Sequence, residues 1–372
     1  MNILITGGCG FLGQYLTKEI ITEFPKANIT LLDLKINQNG LFDLTKTTTT
    51  TTNNNNNNNN NNESKSNAIR KNKRQHNKIN KQIQYKIGRN ICDYDSIKDD
   101  FKNINVVFHL AGIVAFGIKD RERLFKVNLE GTKNVFQAAK HQKVKHFIHV
   151  SSVAALGYNN KKIINETYKF NWNIAKKYNK FYMISKHRAD KFLEFQKGFQ
   201  QIPLMKISIA YPGLMLGPGD YNNSVNLLSA LLKKQIPFNP PGGTNIIDVR
   251  DVAKGLVEIL KKDKRGDDFL LSGENLTFVK QNNIISKVLG VSPPKATLPH
   301  FLQKILYQIL LIAEKKNKKK PRLTADNIHS SFQFRYFDNQ KAKDNLNWKP
   351  IISFEQTIKD TFCWMKKEKV IK

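Results

Sequence analysis

The 372-residue chain is 40% hydrophobic and carries a formal net charge of +31, and its length is enough to bury one large core or two linked ones. Its lysine excess is scattered, with runs only at Arg70 to Arg74 and Lys315 to Lys320, which argues for a compositional bias and against a dedicated nucleic-acid site. Cys9, Cys92 and Cys363 have neither disulfide-framework nor metal-ligand spacing and the histidines do not cluster, which excludes a disulfide-built fold and a metal centre.

In chain order, residues 3 to 6 read as a buried strand, "FLGQYLTKEIITEF" as an amphipathic helix and "NITLLDL" as a second strand, together a βαβ unit. The apolar run after Met1 is too short for a signal peptide and lacks a basic leader, so the expected compartment is the cytoplasm. Between the first strand and helix stands "TGGCGFLG", where Gly7, Gly10 and Gly13 follow three-residue spacing, Gly8 completes G-x-G-x-x-G, and Phe11 and Leu12 open the helix. Such a loop gives a tight turn, lets the backbone approach a pyrophosphate and aims helix N-terminal amides at negative charge. Asp33, twenty residues beyond Gly13 at the end of the second strand, is placed to accept from the adenosine ribose hydroxyls and to repel the extra phosphate of NADP. NAD is therefore the expected cofactor, with Lys35 two residues on keeping NADP open.

Residues 37–81, with Thr47 to Thr52 and Asn53 to Asn62 at their centre, offer no apolar surface to bury and read as a disordered insert in a loop. Strand and helix then alternate again through "QIQYKIG", "NVVFHLAG", "RLFKVNLEGTKNVFQAAK" and "KHFIHVSS". Regular alternation predicts an α/β fold, a Rossmann-type doubly wound parallel sheet covered on both faces. After Pro212 the chain turns to Gly/Pro loops, two short strands in "NIIDV" and "DFLLSG", and several helices. The expected division is a main domain over 1–212 and a smaller C-terminal substrate-binding lobe over 213–372 with segments returning to the main domain.

"FLQKILYQILLIA", Phe301 to Ala313, is an apolar helix of about 13 residues, short of the roughly 20 that span a bilayer. It has two readings, a roof over a hydrophobic substrate cavity or, with the lysines up to residue 320, a peripheral contact on an anionic membrane. Tyr-x-x-x-Lys occurs three times, at Tyr94 and Lys98, Tyr158 and Lys162, and Tyr182 and Lys186. Residues four apart share a helix face, so spacing alone does not distinguish a reacting pair from a solvated one.

With the glycine loop, "HLAG", "VNLEGT", "VSSVAALG", "YMISK", "YPGLMLGPGD" and "NIIDVRDVAKG" in this order, the chain resembles the extended short-chain dehydrogenase/reductase family, the NAD-dependent epimerase/dehydratase superfamily. Its second half is similar to the dihydroflavonol reductase and hydroxysteroid dehydrogenase-like branch. Tyr94 precedes the strand ending in "HLAG" and Tyr158 follows Ser152 by six residues on a turn. Tyr182 alone follows the serines by about thirty residues and opens a helical segment.

The resemblance implies Tyr182 as acid/base, Lys186 lowering the phenol's pKa and holding the nicotinamide ribose, and Ser152 orienting the substrate oxygen, with Ser151 as its neighbouring rival. It implies Asn128, Ala111, Gly112 and Pro212 beside the cofactor, and Asn90 and Ile91 at the adenine, where the family commonly has Asp before the aliphatic residue. Tyr211 stands where Arg or Asn is common, which leaves substrate contacts there open. The acidic pair that sugar-nucleotide dehydratases carry after the serine strand is replaced by Val153, Ala154 and Ala155, so dehydration is not expected. The expected reaction is hydride transfer between NAD(P) and a secondary alcohol or ketone of a small organic substrate. A nucleotide-sugar epimerase is the alternative, and a non-catalytic NAD-sensing or RNA-associated protein is the alternative of another class. A homodimer through the helices of "NLEGTKNVFQAAK" and "YMISKHRADKF" is also implied by the resemblance.

Overall fold

Apolar runs buried on both sides become the strands of a parallel sheet. The computed structural model describes residues 1–36, 82–198, 205–263, 266–317, 321 and 323–371. The insert expected at 37–81 lies outside the described residues, as do Lys318 to Lys320 of the basic run. The strands are β1 (Asn2–Thr6), β2 (Asn28–Asp33), β3 (Ile83–Ile87), β4 (Val106–His109), β5 (His146–Val150), β6 (Lys206–Pro212), β7 (Leu214–Leu216), β8 (Phe238–Asn239), β9 (Gly243–Asp248), β10 (Asp268–Leu271), β11 (Glu274–Thr277), β12 (Ala296–Thr297) and β13 (Phe334–Arg335).

Seven of them form one sheet in the order β3-β2-β1-β4-β5-β6-β10, and every neighbouring pair is parallel. Alternation along β1 explains the two layers. Ile3 and Ile5 join Leu12, Leu16 and Ile20 of the helix Phe11–Glu23 and Val252 and Leu256 of the helix Val249–Lys262. Leu4 faces the other way, into a core with Phe136, Phe147 and Leu193. The order reverses between β1 and β4, so their carboxyl ends open a crevice there, the usual ligand position of a doubly wound sheet.

"DFLLSG", read from sequence with the smaller lobe, supplies β10, which pairs with β6 in the main sheet. The segment beyond 212 thus returns to the main domain through β10, through Val249–Lys262 and through the helix Gln340–Leu346, whose Ala342 and Leu346 join the core around Ile3 and Leu12. What remains of it builds a four-stranded sheet of β11, β9 and β13 with β7 beside β9, and a two-stranded sheet of β8 and β12. This lobe has its own core around Leu228, Ile246, Ile285, Phe354 and Ile358.

Candidate active site

The glycine loop forms the floor of a cavity of about 640 Å³ at the β1/β4 crevice. Gly7 has φ +68°, and a Cβ there would meet Ala111 N at 2.9 Å, so the turn and the approach of β4's end both need glycine. A Cβ on Gly13 would meet Gly8 O at 2.5 Å, which fixes how closely helix and strand pack. The helix begins at Gly10 with no side-chain cap and no acidic residue in its first turn. Among the described residues its leading amides have no side-chain cap, and they face a cavity lined by Gly7, Gly10, Phe11, Leu12 and Gly13, a setting that suits a pyrophosphate.

Asp33 also lines this cavity. Its Oδ2 accepts from Cys9 N at 3.0 Å and its Oδ1 from Leu34 N at 2.7 Å, so the carboxylate is held at the loop. Asn90, Ile91, Ala111 and Gly112 line the same cavity. Asn90 Oδ1 already accepts from Cys92 N at 3.0 Å, and Ile91 packs beneath Gly131, where a Cβ would meet its Cδ1 at 2.7 Å.

Two residues expected beside the cofactor, Asn128 and Pro212, do not line the larger cavity. Asn128 lies behind the cavity wall, buried in a π-helical turn, Phe125–Glu130, of the kind that interrupts helices at functional sites. Its Oδ1 accepts from Ile113 N at 2.9 Å and its Nδ2 donates to Ile113 O at 3.0 Å and Ser185 Oγ at 3.0 Å, so it holds the wall to the helix Phe181–Gly198. Pro212 ends β6 and lines a second, smaller cavity of about 320 Å³, because the chain turns there from the main sheet into the lobe. Tyr211 is buried beneath it.

The two cavities meet at Tyr182, which lines both. Lys186, one turn on, lines the larger cavity, and Ser152 lines the smaller. Lys186 Nζ donates to Val150 O at 3.1 Å, and a Cβ on Gly112 would come within 3.3 Å of it. Burial raises the Tyr182 phenol above its ordinary value, a hydrogen bond with Ser152 pulls it down, and the Asp190 carboxylate raises it. Burial lowers the Lys186 ammonium and Asp190 opposes that fall. Asp190 in turn is raised by burial and pulled back by its bond to Ser151 and by Lys186.

Asp190 belongs to a polar chain under the site that the sequence reading missed. Ser151 Oγ donates to Asp190 Oδ2 at 2.8 Å, and Asp190 Oδ1 lies 3.4 Å from His149 Nε2. His149 stacks on His109 with ring centroids 5.1 Å apart. His109 contacts Thr6 Oγ1 at 2.7 Å and Thr132 Oγ1 at 2.9 Å, and Thr132 Oγ1 donates to Asn128 O at 2.7 Å. Since Thr132 spends its proton on that carbonyl, His109 donates from Nε2 and accepts at Nδ1. Arg123, Lys126 and Val127 on the larger cavity were also missed, although spacings of three and four on one helix carry the signal.

The other two Tyr-x-x-x-Lys pairs are ordinary. Tyr94 heads a one-turn helix, Tyr94–Ile97, and Lys98 pairs with Asp95 at 2.6 Å. Tyr158 lines the smaller cavity and contacts His329 Nδ1 at 3.4 Å, and no helix joins it to Lys162. Positions 153 and 154, Val153 and Ala154, line the smaller cavity without a carboxylate.

Comparison with known proteins agrees with this geometry. The model of the 3-beta hydroxysteroid dehydrogenase/isomerase family matches residues 4–246. A candidate dihydroflavonol 4-reductase of Synechocystis sp. is 27% identical over 311 residues, covering 82% of this chain and 88% of that protein. The decarboxylating sterol-4-alpha-carboxylate 3-dehydrogenase of Candida albicans is 24% identical, covering 99% and 98%. Among solved structures, UDP-glucuronic acid 4-epimerase of Bacillus cereus superposes with a TM-score of 0.67 at 19% identity, covering 99% of each chain, and shares the fold. The match over residues 4–246, with the glycine loop, serine turn and Tyr-Lys helix meeting at one crevice, identifies the chain as a member of the 3-beta hydroxysteroid dehydrogenase/isomerase family and an NAD(P)-dependent oxidoreductase of alcohol and ketone carbons.

Proposed function

We propose that the protein is an NAD-dependent dehydrogenase of an apolar secondary alcohol, with Tyr182, Lys186 and Ser152 as its reacting set. The observation that carries this reading is the position of Tyr182 on the boundary of the two cavities. The larger cavity, lined by the glycine loop and Asp33, would hold NAD, which would supply the hydride acceptor. Tyr182 as phenolate takes the hydroxyl proton of the substrate. Ser152 donates to the same oxygen and steadies its developing charge. Lys186 holds positive charge beside the phenol, which favours its ionised form.

Phe11, Val114, Phe116, Met183, Leu214 and Met215 dominate the wall of the smaller cavity, which favours a steroid-like or flavonoid-like alcohol over a nucleotide sugar. The named relatives act on sterols or are candidate flavonoid reductases, which supports that class. The test is NADH formation by purified protein with hydroxysteroids, flavan-diols and sugar nucleotides. Interconversion of sugar nucleotides with no net change in NADH would replace the dehydrogenase reading with epimerisation.

A second reading concerns the helix Leu302–Lys316. None of residues 301–316 lines either cavity, which favours the membrane reading over a roof. Tyr307 and Glu314 face inward, and Glu314 ties the helix down by accepting from Ile118 N at 3.1 Å and Ala325 N at 2.6 Å. Outward stand Phe301, Ile305, Ile309 and Ile312, exposed by 71, 51, 57 and 51%, spaced as one helical face. With Lys304, Lys315 and Lys316 exposed beside them, this face suits an anionic membrane surface, its apolar side chains below the headgroups and its lysines among them. No helix among the described residues is long and apolar enough to cross a membrane.

A further inference from the structure

The turn that carries Ser152 leaves the main sheet at once. Ser151 is still held there, its N donating to Ala210 O at 2.8 Å. Beyond it, Val153–Leu156 forms a short 3-10 helix whose flanking bonds stay local, Ala155 N to Ser152 O at 2.9 Å and Gly157 N to Ala154 O at 3.2 Å. Ser152 Oγ accepts from Ala154 N at 3.2 Å, so the turn aims the hydroxyl and leaves its proton for the substrate or Tyr182. His187 Nδ1 lies 2.9 Å from Ala155 O. A carbonyl only accepts, so Nδ1 carries the proton whether or not the ring is charged. Among the described residues this is the hydrogen bond that joins residues 153–157 to the helix Phe181–Gly198.

The imidazole is itself fixed. It stacks on Phe170 with ring centroids 4.0 Å apart and planes 13° apart, and Trp172 meets it edge-on at 5.2 Å. Phe170 also lies against Gly157, where a Cβ would meet its Cδ2 at 3.7 Å, so one ring covers both His187 and the end of the turn. A donor to a developing alkoxide must stand about 2.7–3.1 Å from it, a tolerance that a loop tied at one end does not keep. His187 lines neither cavity, so any effect it has on the reaction passes through the turn. We propose that His187 is a positioning residue that fixes Ser152 against Tyr182 by bracing the serine turn to the helix that carries the phenol. This deepens the dehydrogenase reading and rests on it for the duties of those two side chains.

The test is hydroxysteroid oxidation by the full chain with saturating NAD, read beside hydrogen exchange at the Ala154, Ala155 and Gly157 amides. His187→Phe keeps a ring against Phe170 and removes the donor. Its kcat is expected to fall by about tenfold, the worth of one hydrogen bond, with KM within about twofold and the three amides exchanging faster. His187→Asn, whose amide nitrogen can stand where Nδ1 stood, should restore most of both. Added to Ser152→Ala, His187→Phe should cost no further turnover, because the hydroxyl it positions is already gone. An unchanged kcat in His187→Phe, an equal loss in His187→Asn, or a loss as large in the Ser152→Ala background as in the wild type overturns the proposal. Should His187→Phe not fold, His187→Leu carries the same comparisons. If the wild type oxidises no alcohol, faster exchange in His187→Phe that His187→Asn reverses keeps the brace and removes the dehydrogenase reading alone, while unchanged exchange removes the brace.

Discussion

Ser151 and Asp190 share a buried hydrogen bond of 2.8 Å, while Ser152, next in the chain, lines the substrate cavity and bonds the Tyr182 phenol. Ser151 lines both cavities as well, but its hydroxyl proton is committed to Asp190, so the two adjacent serines have separate duties. Ser152→Ala is expected to lower kcat by about 10²- to 10³-fold, the cost of losing one donor to a developing alkoxide. Ser151→Ala strips Asp190 of its donor and is expected to cost about 1–3 kcal/mol of stability with a much smaller effect on kcat. Steady-state kinetics and denaturant melts of both variants decide, and equal kcat losses would dissolve the distinction.

Tyr182→Phe keeps the ring that packs edge-on against Phe116 at 6.1 Å and removes only the proton carrier. Turnover is expected to fall by about 10²- to 10⁴-fold, the range for a positioned acid/base, with NAD affinity within about twofold. Undiminished turnover in this variant would end the assignment.

Asp190 raises the Tyr182 phenol and holds Lys186 up against burial. Replacing its carboxylate with the amide of Asn removes both influences, so the phenol ionises at lower pH and the ammonium loses its proton at lower pH. Both limbs of the kcat/KM profile for alcohol oxidation should move acidward together, and Asp190→Glu should move them back. An unchanged profile in Asp190→Asn with only a lower melting point would reduce Asp190 to a structural acid.

What the sequence made legible lies within single elements. Gly7, Gly10 and Gly13 sit at one strand-to-helix junction and Tyr182 and Lys186 on one helix, so their spacing encodes their geometry. Asp190 and His187 were invisible because their partners are distant in the chain. His149 reaches Asp190 from β5, and Ala155 meets His187 from a turn 32 residues back. The misplacement of "DFLLSG" has a related cause, since a short apolar run looks the same in either sheet. Its crossover through Val249–Lys262, packed on the glycine-loop helix, is what returns it to β6.

Cofactor choice turns on Asp33, whose carboxylate lines the cavity held by Cys9 N and Leu34 N. Asp33→Ser removes the charge that binds ribose hydroxyls and repels a 2′-phosphate. The NAD-to-NADP preference in kcat/KM should fall by about 10- to 100-fold, the worth of a charge-assisted bond of about 1.5–3 kcal/mol. A preference unmoved by this substitution would shift the selectivity to Arg89, which also lines the cavity and pairs with Asp100 at 2.6 Å.

Acid lability follows from buried imidazoles. Burial lowers His146 and His329 from 6.5 to about 3. Unfolded, each takes a proton below about pH 6.5, whereas the folded protein refuses it until about pH 3. Stability is therefore complete above pH 6.5 and declines as pH falls toward 3, by up to about 1.4 kcal/mol per pH unit for each histidine. Guanidinium melts between about pH 7.5 and 5 measure the slope. His146→Gln, which keeps a partner for Ser208 Oγ, 2.7 Å from His146 Nε2, should flatten it, and an equal slope in the variant would clear His146 of the effect.

The helix Leu302–Lys316 offers a test that separates apolar from electrostatic docking. Ile305 and Ile309 stand at the middle of its exposed face, and Lys315 and Lys316 close its last turn. If the face enters a headgroup layer, Ile305→Asp with Ile309→Asp should abolish co-sedimentation with vesicles containing anionic lipid while leaving hydroxysteroid oxidation in detergent-free solution unchanged. Neutralising Lys315 and Lys316 to Gln should weaken binding by about 1 kcal/mol per charge and remove most of its salt dependence. Binding that survives the aspartates but falls with salt would mean that the lysines alone adhere. Wild-type protein that ignores vesicles yet sediments as a dimer, with the aspartates restoring the monomer, would assign the same face to a second copy of the chain.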